Sequence, residues 1–236
     1  TINGVGAYLG LAKAVNGTQL TSPANAPDSV TYMAALSADG LTLELDIEFE
    51  DGGHWSFKLV KDAPPAPSAL DGTWRLAPEA GALGVGPELD NISWWSNTSD
   101  DVTTRACLFD DTYVFNTDGS FQNVVGSETW VETWQGAAAE GCGTPVAPHD
   151  GTASATYSYD EAAGTITING TGAYLGLAKA VNGTQLTSPA DAPDSVTYMA
   201  ALSEDGNTLE LDIEFEDGGH WSFKLVKDVI PEGVEG

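Results

Sequence analysis

The chain is poor in positive charge: eight Lys and Arg stand against 35 Asp and Glu in 236 residues, for a formal net charge of −27. That excludes nucleic acid as a partner, because phosphate binding relies on clustered Lys and Arg to release counterions. The same repulsion excludes an anionic membrane surface. Histidine is scarce as well. His54 and His220 occupy one repeated position beside a Trp, and His149 sits in a Pro-His-Asp loop, so no His cluster is available for a metal. No H-E-x-x-H, G-x-S-x-G or P-loop pattern occurs. Gly81-Ala82-Leu83-Gly84-Val85-Gly86 is glycine-rich but lies in no βαβ context and has no basic residue to help it hold a phosphate. No apolar run approaches the roughly 20 residues that span a bilayer. Cysteine is limited to Cys107 and Cys142, with no C-x-x-C and no metal-type spacing. A disulfide between them is the expectation. Closing such a loop stabilises a domain by about 4 kcal/mol on the chain-entropy model.

What is present is a repeat. Residues Thr1 to Asp62 recur as Thr167 to Asp228 at an offset of 166, and four of the 62 positions differ: Val5 against Thr171, Asn25 against Asp191, Ala38 against Glu204 and Leu41 against Asn207. A unit of this length is a whole domain rather than a solenoid turn. The chain therefore reads as the second half of a preceding repeat (1–62), a proline-rich linker (63–69), one complete repeat domain (70–228) and a linker to the next repeat (229–236). Two second halves accompany one first half. Either a preceding first half completes residues 1–62, or the boundary of the chain falls inside a repeat without regard to domains. Near-identity argues against two specialised active sites, and repetition points to reach, avidity or polymerisation.

Within each copy the pattern is that of strands. Leu209, Leu211, Ile213 and Phe215 alternate with Thr208, Glu210, Asp212 and Glu214, a turn follows at Asp217-Gly218-Gly219, and Trp221, Phe223 and Leu225 alternate onward. These two runs predict a hairpin, extended to a three-stranded meander by Val196, Tyr198, Ala200 and Leu202. Tyr113 and Phe115, the turn Thr117-Asp118-Gly119, and Phe121 predict another hairpin; Tyr157 and Tyr159 lead into a strand at Thr165 to Ile168. About nine or ten strands per repeat are expected. Helical periodicity is confined to a short turn around Leu175 to Val181, and to Leu9 to Val15 in the first copy. The fold class is all-β: tandem antiparallel barrel or β-sandwich domains joined by short proline-rich linkers, since closure or double layering removes exposed sheet edges. The ladder Glu210, Asp212, Glu214, Glu216 is expected to be a solvated outer face.

Leu70-Asp71-Gly72-Thr73-Trp74-Arg75-Leu76, followed by Cys107, Asp110-Asp111-Thr112-Tyr113-Val114-Phe115 and Asp118-Gly119-Ser120-Phe121, resembles the opening of lipocalin-like domains in secreted proteins of the Bacteroidota. The stretch Gly172 to Gly183 is similar to repeats in large multimodular surface proteins of marine members of that phylum. The resemblance implies a barrel and a secreted, cell-surface setting, and supplies no ligand. The insertion Ala80 to Asp101, with Trp94-Trp95, departs from a minimal lipocalin and leaves a sandwich open.

Candidate chemistry is sparse. Trp94, Trp95, Trp130 and Trp134 lie outside the clean alternating strands, with Trp130 and Trp134 expected on one strand face. Exposed Trp rings beside Asp and Asn can stack on sugars, and the same rings serve equally as core or as contacts between domains. Asp90, Asp100, Asp101, Asp110 and Asp111, with Asp118, are weak calcium candidates, since Ca²⁺ takes six to eight oxygens but no EF-hand loop is present. Beyond calcium no cofactor is expected. The sequence thus predicts a non-enzymatic extracellular protein, bacterial by the resemblance. Its partners are neighbouring copies of itself in a surface filament, stalk or adhesin. The alternative is a repeated carbohydrate-binding module with polysaccharide as partner.

Overall fold

The computed structural model describes residues 1–61 and 67–228. The chain divides into two compact units, Thr1–Pro64 and Pro65–Gly236. The expected linker at 63–69, apart from its last three residues, and the expected tail at 229–236 lie outside the described residues.

The larger unit is a closed antiparallel barrel of eight strands: β1 (Gly72–Leu76), β2 (Thr112–Phe115), β3 (Ser120–Val124), β4 (Ala155–Asp160), β5 (Thr165–Asn169), β6 (Ser195–Leu202), β7 (Thr208–Glu214) and β8 (His220–Lys227). Each strand pairs with the next in sequence, and β8 closes on β1 through Leu225↔Leu76, Val226↔Arg75 and Lys227↔Trp74. This is up-and-down order, and it decides for the barrel over the sandwich. The first half of β8 pairs outside the ring with Leu83–Gly86, which carries the two-residue strand Trp95–Ser96 in turn.

Period-two alternation places one side of every strand inward. Registered pairs such as Leu211↔Phe223, Ile213↔Trp221, Ile166↔Tyr198 and Phe121↔Phe115 stack across the interior. Trp74, Tyr113, Phe115, Ile166, Tyr198 and Leu209 are fully buried there. Fourteen strands are described in this unit, more than the nine or ten expected, because two- and three-residue pairs carry no readable alternation.

Three elements depart from the sequence pattern. At Leu175 to Val181 no helix forms, only one turn in which the Ala180 N–H donates to the Leu177 carbonyl at 3.0 Å; the segment after β5 folds into the barrel as a plug, with Leu175 and Leu177 buried, before the short hairpin of Ala180–Val181 and Thr184–Gln185. Helix forms instead at α1 (Ser99–Thr104) and α2 (Ala106–Phe109). α1 starts at a capping box in which Thr98 and Asp101 exchange side-chain and backbone bonds. Finally, the ladder on β7 is not uniformly solvated: Asp212 is 3% exposed and bonded to His220 and Ser222.

The smaller unit has the second-half pattern without a first half. Met33–Leu36, Thr42–Phe49 and Gly53–Val60 form a three-stranded sheet, and Ile2–Asn3 pairs with Ser29–Val30. Its buried core is small: Ala14, Val15, Val30 and Ile47.

Candidate functional site

The meander order sends the connections of the barrel to opposite ends. At one mouth the turns are tight, at 116–119, 161–164 and 203–207; at the other, three long connections gather, 77–111, 125–154 and 170–194. Long loops on a rigid barrel are where binding residues concentrate. Every Trp and Asp candidate named from the sequence, apart from Asp118 in the tight 116–119 turn, lies on or beside these long connections.

The disulfide organises this mouth. Cys107 on α2 is bonded to Cys142 in the strand Gly141–Gly143, with Cα atoms 5.9 Å apart. That strand pairs with Thr129–Val131, so α2 is tied to a hairpin bearing Trp130. Arg105 precedes α2, and its guanidinium carbon lies 4.2 Å from the Trp130 ring centroid and 5.3 Å from that of Trp95. A planar guanidinium stacks well on indole faces. Arg75 and Arg105 are the only arginines in the chain, and no local sequence pattern pairs Arg105 with Trp95 or Trp130.

Trp130 and Trp134 do not share a strand face, contrary to the sequence expectation. Trp130 is in the strand Thr129–Val131, while Trp134 lies in a 3₁₀ turn, Thr133–Gln135. The Trp134 indole N–H donates to Glu132 Oε2 at 2.7 Å, and Lys179 Nζ donates to Glu132 Oε1 at 2.7 Å. Glu132 is thereby buried with both oxygens satisfied. Trp134 also packs edge-on against His149, which packs edge-on against Tyr174 of the plug. Trp94 is the outlying member, 57% exposed. The four tryptophans are therefore not one flat platform: Trp95 and Trp130 share Arg105, Trp134 belongs to the buried polar cluster, and Trp94 faces solvent.

The six calcium candidates are also dispersed, with Asp118 in the tight turn at the other mouth. Asp90 is exposed in a left-handed conformation, and Asp100 is exposed in the first turn of α1. Asp101 is committed to the Thr98 cap, which holds its carboxyl below the usual range, and Asp110 ends α2. Asp111 is buried, its Oδ2 accepting from the Thr129 hydroxyl at 2.5 Å while Oδ1 has no partner. Among the described residues no three His, Cys, Asp or Glu side chains converge on one point.

Burial pushes the Asp111 carboxyl up to about 7, nearby Asp110 adding to the rise against the Thr129 hydrogen bond. Burial pushes the His149 imidazole down to about 4, and its Nδ1 also lacks a partner. Both groups are favoured in their uncharged forms by the apolar setting. The remaining space here, lined by Leu108, Trp130, Glu132, His149, Tyr174 and Lys179, is about 10 Å³, room for about one water.

No protein-family model matches the chain, and no curated protein is similar to it.

The barrel centre is occupied by protein. Tyr113, Tyr174 and Tyr198 are all buried, and burial raises each hydroxyl well above its ordinary pKa. Tyr174 is held by Asn123, which donates Nδ2 to its carbonyl at 2.9 Å and accepts its N–H at 3.2 Å. The plug thus stands where a lipocalin-like barrel would keep a ligand cavity.

Proposed function

We propose that this is a non-enzymatic extracellular repeat protein whose β-barrels are the building blocks of a bacterial surface filament, stalk or adhesin, meeting one another head to tail. The observation that carries the reading is where the two copies differ. In the larger unit Thr171, Asp191, Glu204 and Asn207 are all exposed, while every interior side chain of the half barrel is the same in both copies. Selection that keeps one interior and one surface nearly unchanged fits a module whose contacts are repeated. The plugged barrel supports a solid brick rather than a carrier, and the buried Asp111 and His149 offer no solvent-facing acid, base or nucleophile. The disulfide fits an oxidising compartment, and the lipocalin-like resemblance points the same way. Identical surfaces meeting head to tail propagate into open fibres.

Electron microscopy and sedimentation of the full chain across a range of concentrations, with and without a chelator, test this. Ordered assemblies with a repeating axial step support it, and their loss on chelation would place calcium at the joints. A monomer at every concentration refutes it.

A second reading, a carbohydrate-binding module, is favoured by one observation: Trp94 presents an indole to solvent next in sequence to Trp95, whose ring centroid lies 5.3 Å from the Arg105 guanidinium carbon. Polysaccharide binding lost in Trp94→Ala and Trp95→Ala, without concentration-dependent assembly, would select it.

A further inference from the structure

Residues 1–61 carry the strands and turns of the second half of the barrel but bury little of what their counterparts bury. Tyr8 is 49% exposed where Tyr174 is 5%, and Leu11 is 37% exposed where Leu177 is 5%. Leu43, Trp55 and Phe57 are each more open than Leu209, Trp221 and Phe223. An apolar groove of about 380 Å³ lined by Ala7, Tyr8, Val15, Leu20 and Val30 opens on this side. Their counterparts Ala173, Tyr174, Val181, Leu186 and Val196 are buried inside the barrel.

We infer that residues 1–61 are a preformed acceptor for a polypeptide segment of the sequence type of residues 67–166, which completes them into a second closed eight-stranded barrel.

The acceptor already holds part of its final shape, although the counterpart of Ser195–Leu202 is broken into Ser29–Val30 and Met33–Leu36. Tyr32 Oη accepts the Leu9 N–H at 3.0 Å, as Tyr198 does that of Leu175 at 3.0 Å. Asn16 pins Thr31 through two bonds of 2.8 and 2.7 Å, as Asn182 pins Thr197 at 2.7 and 2.8 Å. Trp55 donates to Gln19 at 3.1 Å, as Trp221 does to Gln185 at 3.0 Å. Preorganisation lowers the ordering cost of association.

What the acceptor lacks is supplied in the larger unit by residues 67–166 alone. Strand β8 gains β1 and Leu83–Gly86 along its free side, and β5 gains β4. Tyr113 clamps Gly176, and Asn123 clamps Tyr174. In residues 1–61 the corresponding strand, Gly53–Val60, pairs only with Thr42–Phe49 among the described residues, leaving a sheet edge. An exposed edge beside an apolar face is a template for strand addition. A second copy of this chain is a poor occupant, because lending its own 67–166 would strip its own 167–228 and gain nothing. The fitting partner is a first-half segment without a second half of its own.

The test is a fusion in which an extra copy of residues 67–166 is joined ahead of Thr1 of the full chain, compared with the unfused chain by hydrogen exchange. The peptide from Leu41 to Val60 is distinguishable by mass from its copy through Leu41 against Asn207. Exchange in Gly53–Val60 is expected to slow by at least about 100-fold, and the indole N–H resonance of Trp55 to move onto that of Trp221. The added Cys pair should be oxidised. Unchanged exchange and an unmoved Trp55 resonance, whether or not the added cysteines pair, would overturn the inference. Neither result depends on head-to-tail assembly of barrels.

Discussion

Tyr113 Oη closes a two-way bond with the backbone of Gly176, donating to its carbonyl and accepting its N–H, each at 3.1 Å in the barrel interior. One hydroxyl from the first half of the repeat thus satisfies both polar groups of a plug residue in the second half. Tyr113→Phe keeps the ring and orphans both backbone groups, so a loss of about 1–3 kcal/mol is expected. Urea unfolding of the larger unit's transition measures it. No loss would mean that water replaces the hydroxyl.

The plug position is also set by close approach. Gly176 has φ +73°, and a Cβ there would lie 2.2 Å from the Phe223 ring; Gly183 has φ +76° with nothing within 4 Å. Gly176→Ala adds overpacking to left-handed strain and should cost about 3 kcal/mol. Gly183→Ala should cost about 1 kcal/mol, from strain alone. Equal thermal shifts in the two variants would show that the ring gives way.

How much of this was legible depends on range. The runs at Thr208 to Phe215 and Trp221 to Val226 announce themselves because their inward residues alternate locally, and the two hairpin turns carry Asp-Gly signals. Closure was not legible: the Leu225↔Leu76 pairing joins the two ends of the domain, and no local pattern separates a barrel from a sandwich. The plug misleads because Leu177 and Val181, four residues apart, have helix-like spacing, while their burial is imposed by the surrounding strands. The helix at 99–104 had a readable start in Thr98-x-x-Asp101, outweighed by its Asp- and Thr-rich composition. For the site, spacing located the tryptophans but not their partners, since Arg105 and Lys179 reach them only through tertiary folding. Asp111 reads as a calcium candidate because acidic residues surround it in sequence, whereas the structure buries it against Thr129 of the 125–154 connection.

Asp111 and His149 should bend the stability profile in opposite directions. The folded Asp111 holds its proton up to about pH 7 against an ordinary value of 3.8, so its contribution to stability is lost as pH rises across that window. His149 resists protonation down to about 4 against 6.5, so its contribution is lost as pH falls from 6.5 to 4. In the parent protein these slopes largely offset one another. Asp111→Asn should therefore gain stability between pH 4 and 6.5, relative to the parent, by up to about 3 kcal/mol. His149→Phe should instead lose stability relative to the parent over the same rise, by a similar amount. Urea titrations at half-unit pH steps check both, and variant curves parallel to that of the parent would refute the assignment.

The Cys107–Cys142 bond joins α2 to the Gly141–Gly143 strand across 35 residues of sequence. Replacing both with Ser should destabilise the barrel by about 4 kcal/mol, and the reduced parent should match the double variant. A single Cys142→Ser that unfolds no more readily than the parent would show that the hairpin is held by its own strands.

Exposure separates the tryptophans into a surface group and a structural group, and stability should divide them before any ligand is known. Trp94→Ala removes a ring that is 57% exposed, so its cost should stay within about 0.5 kcal/mol. Trp130→Ala removes a ring packed on the core and facing Arg105 at 4.2 Å, and should cost about 3 kcal/mol. Trp95→Ala, sharing that guanidinium at 5.3 Å, should fall between them. Only the variants that remain folded are then informative about sugars or assembly. A Trp94→Ala protein of parental stability that loses polysaccharide binding locates a glycan site, whereas the same protein losing only its concentration-dependent assembly makes Trp94 an anchor between barrels.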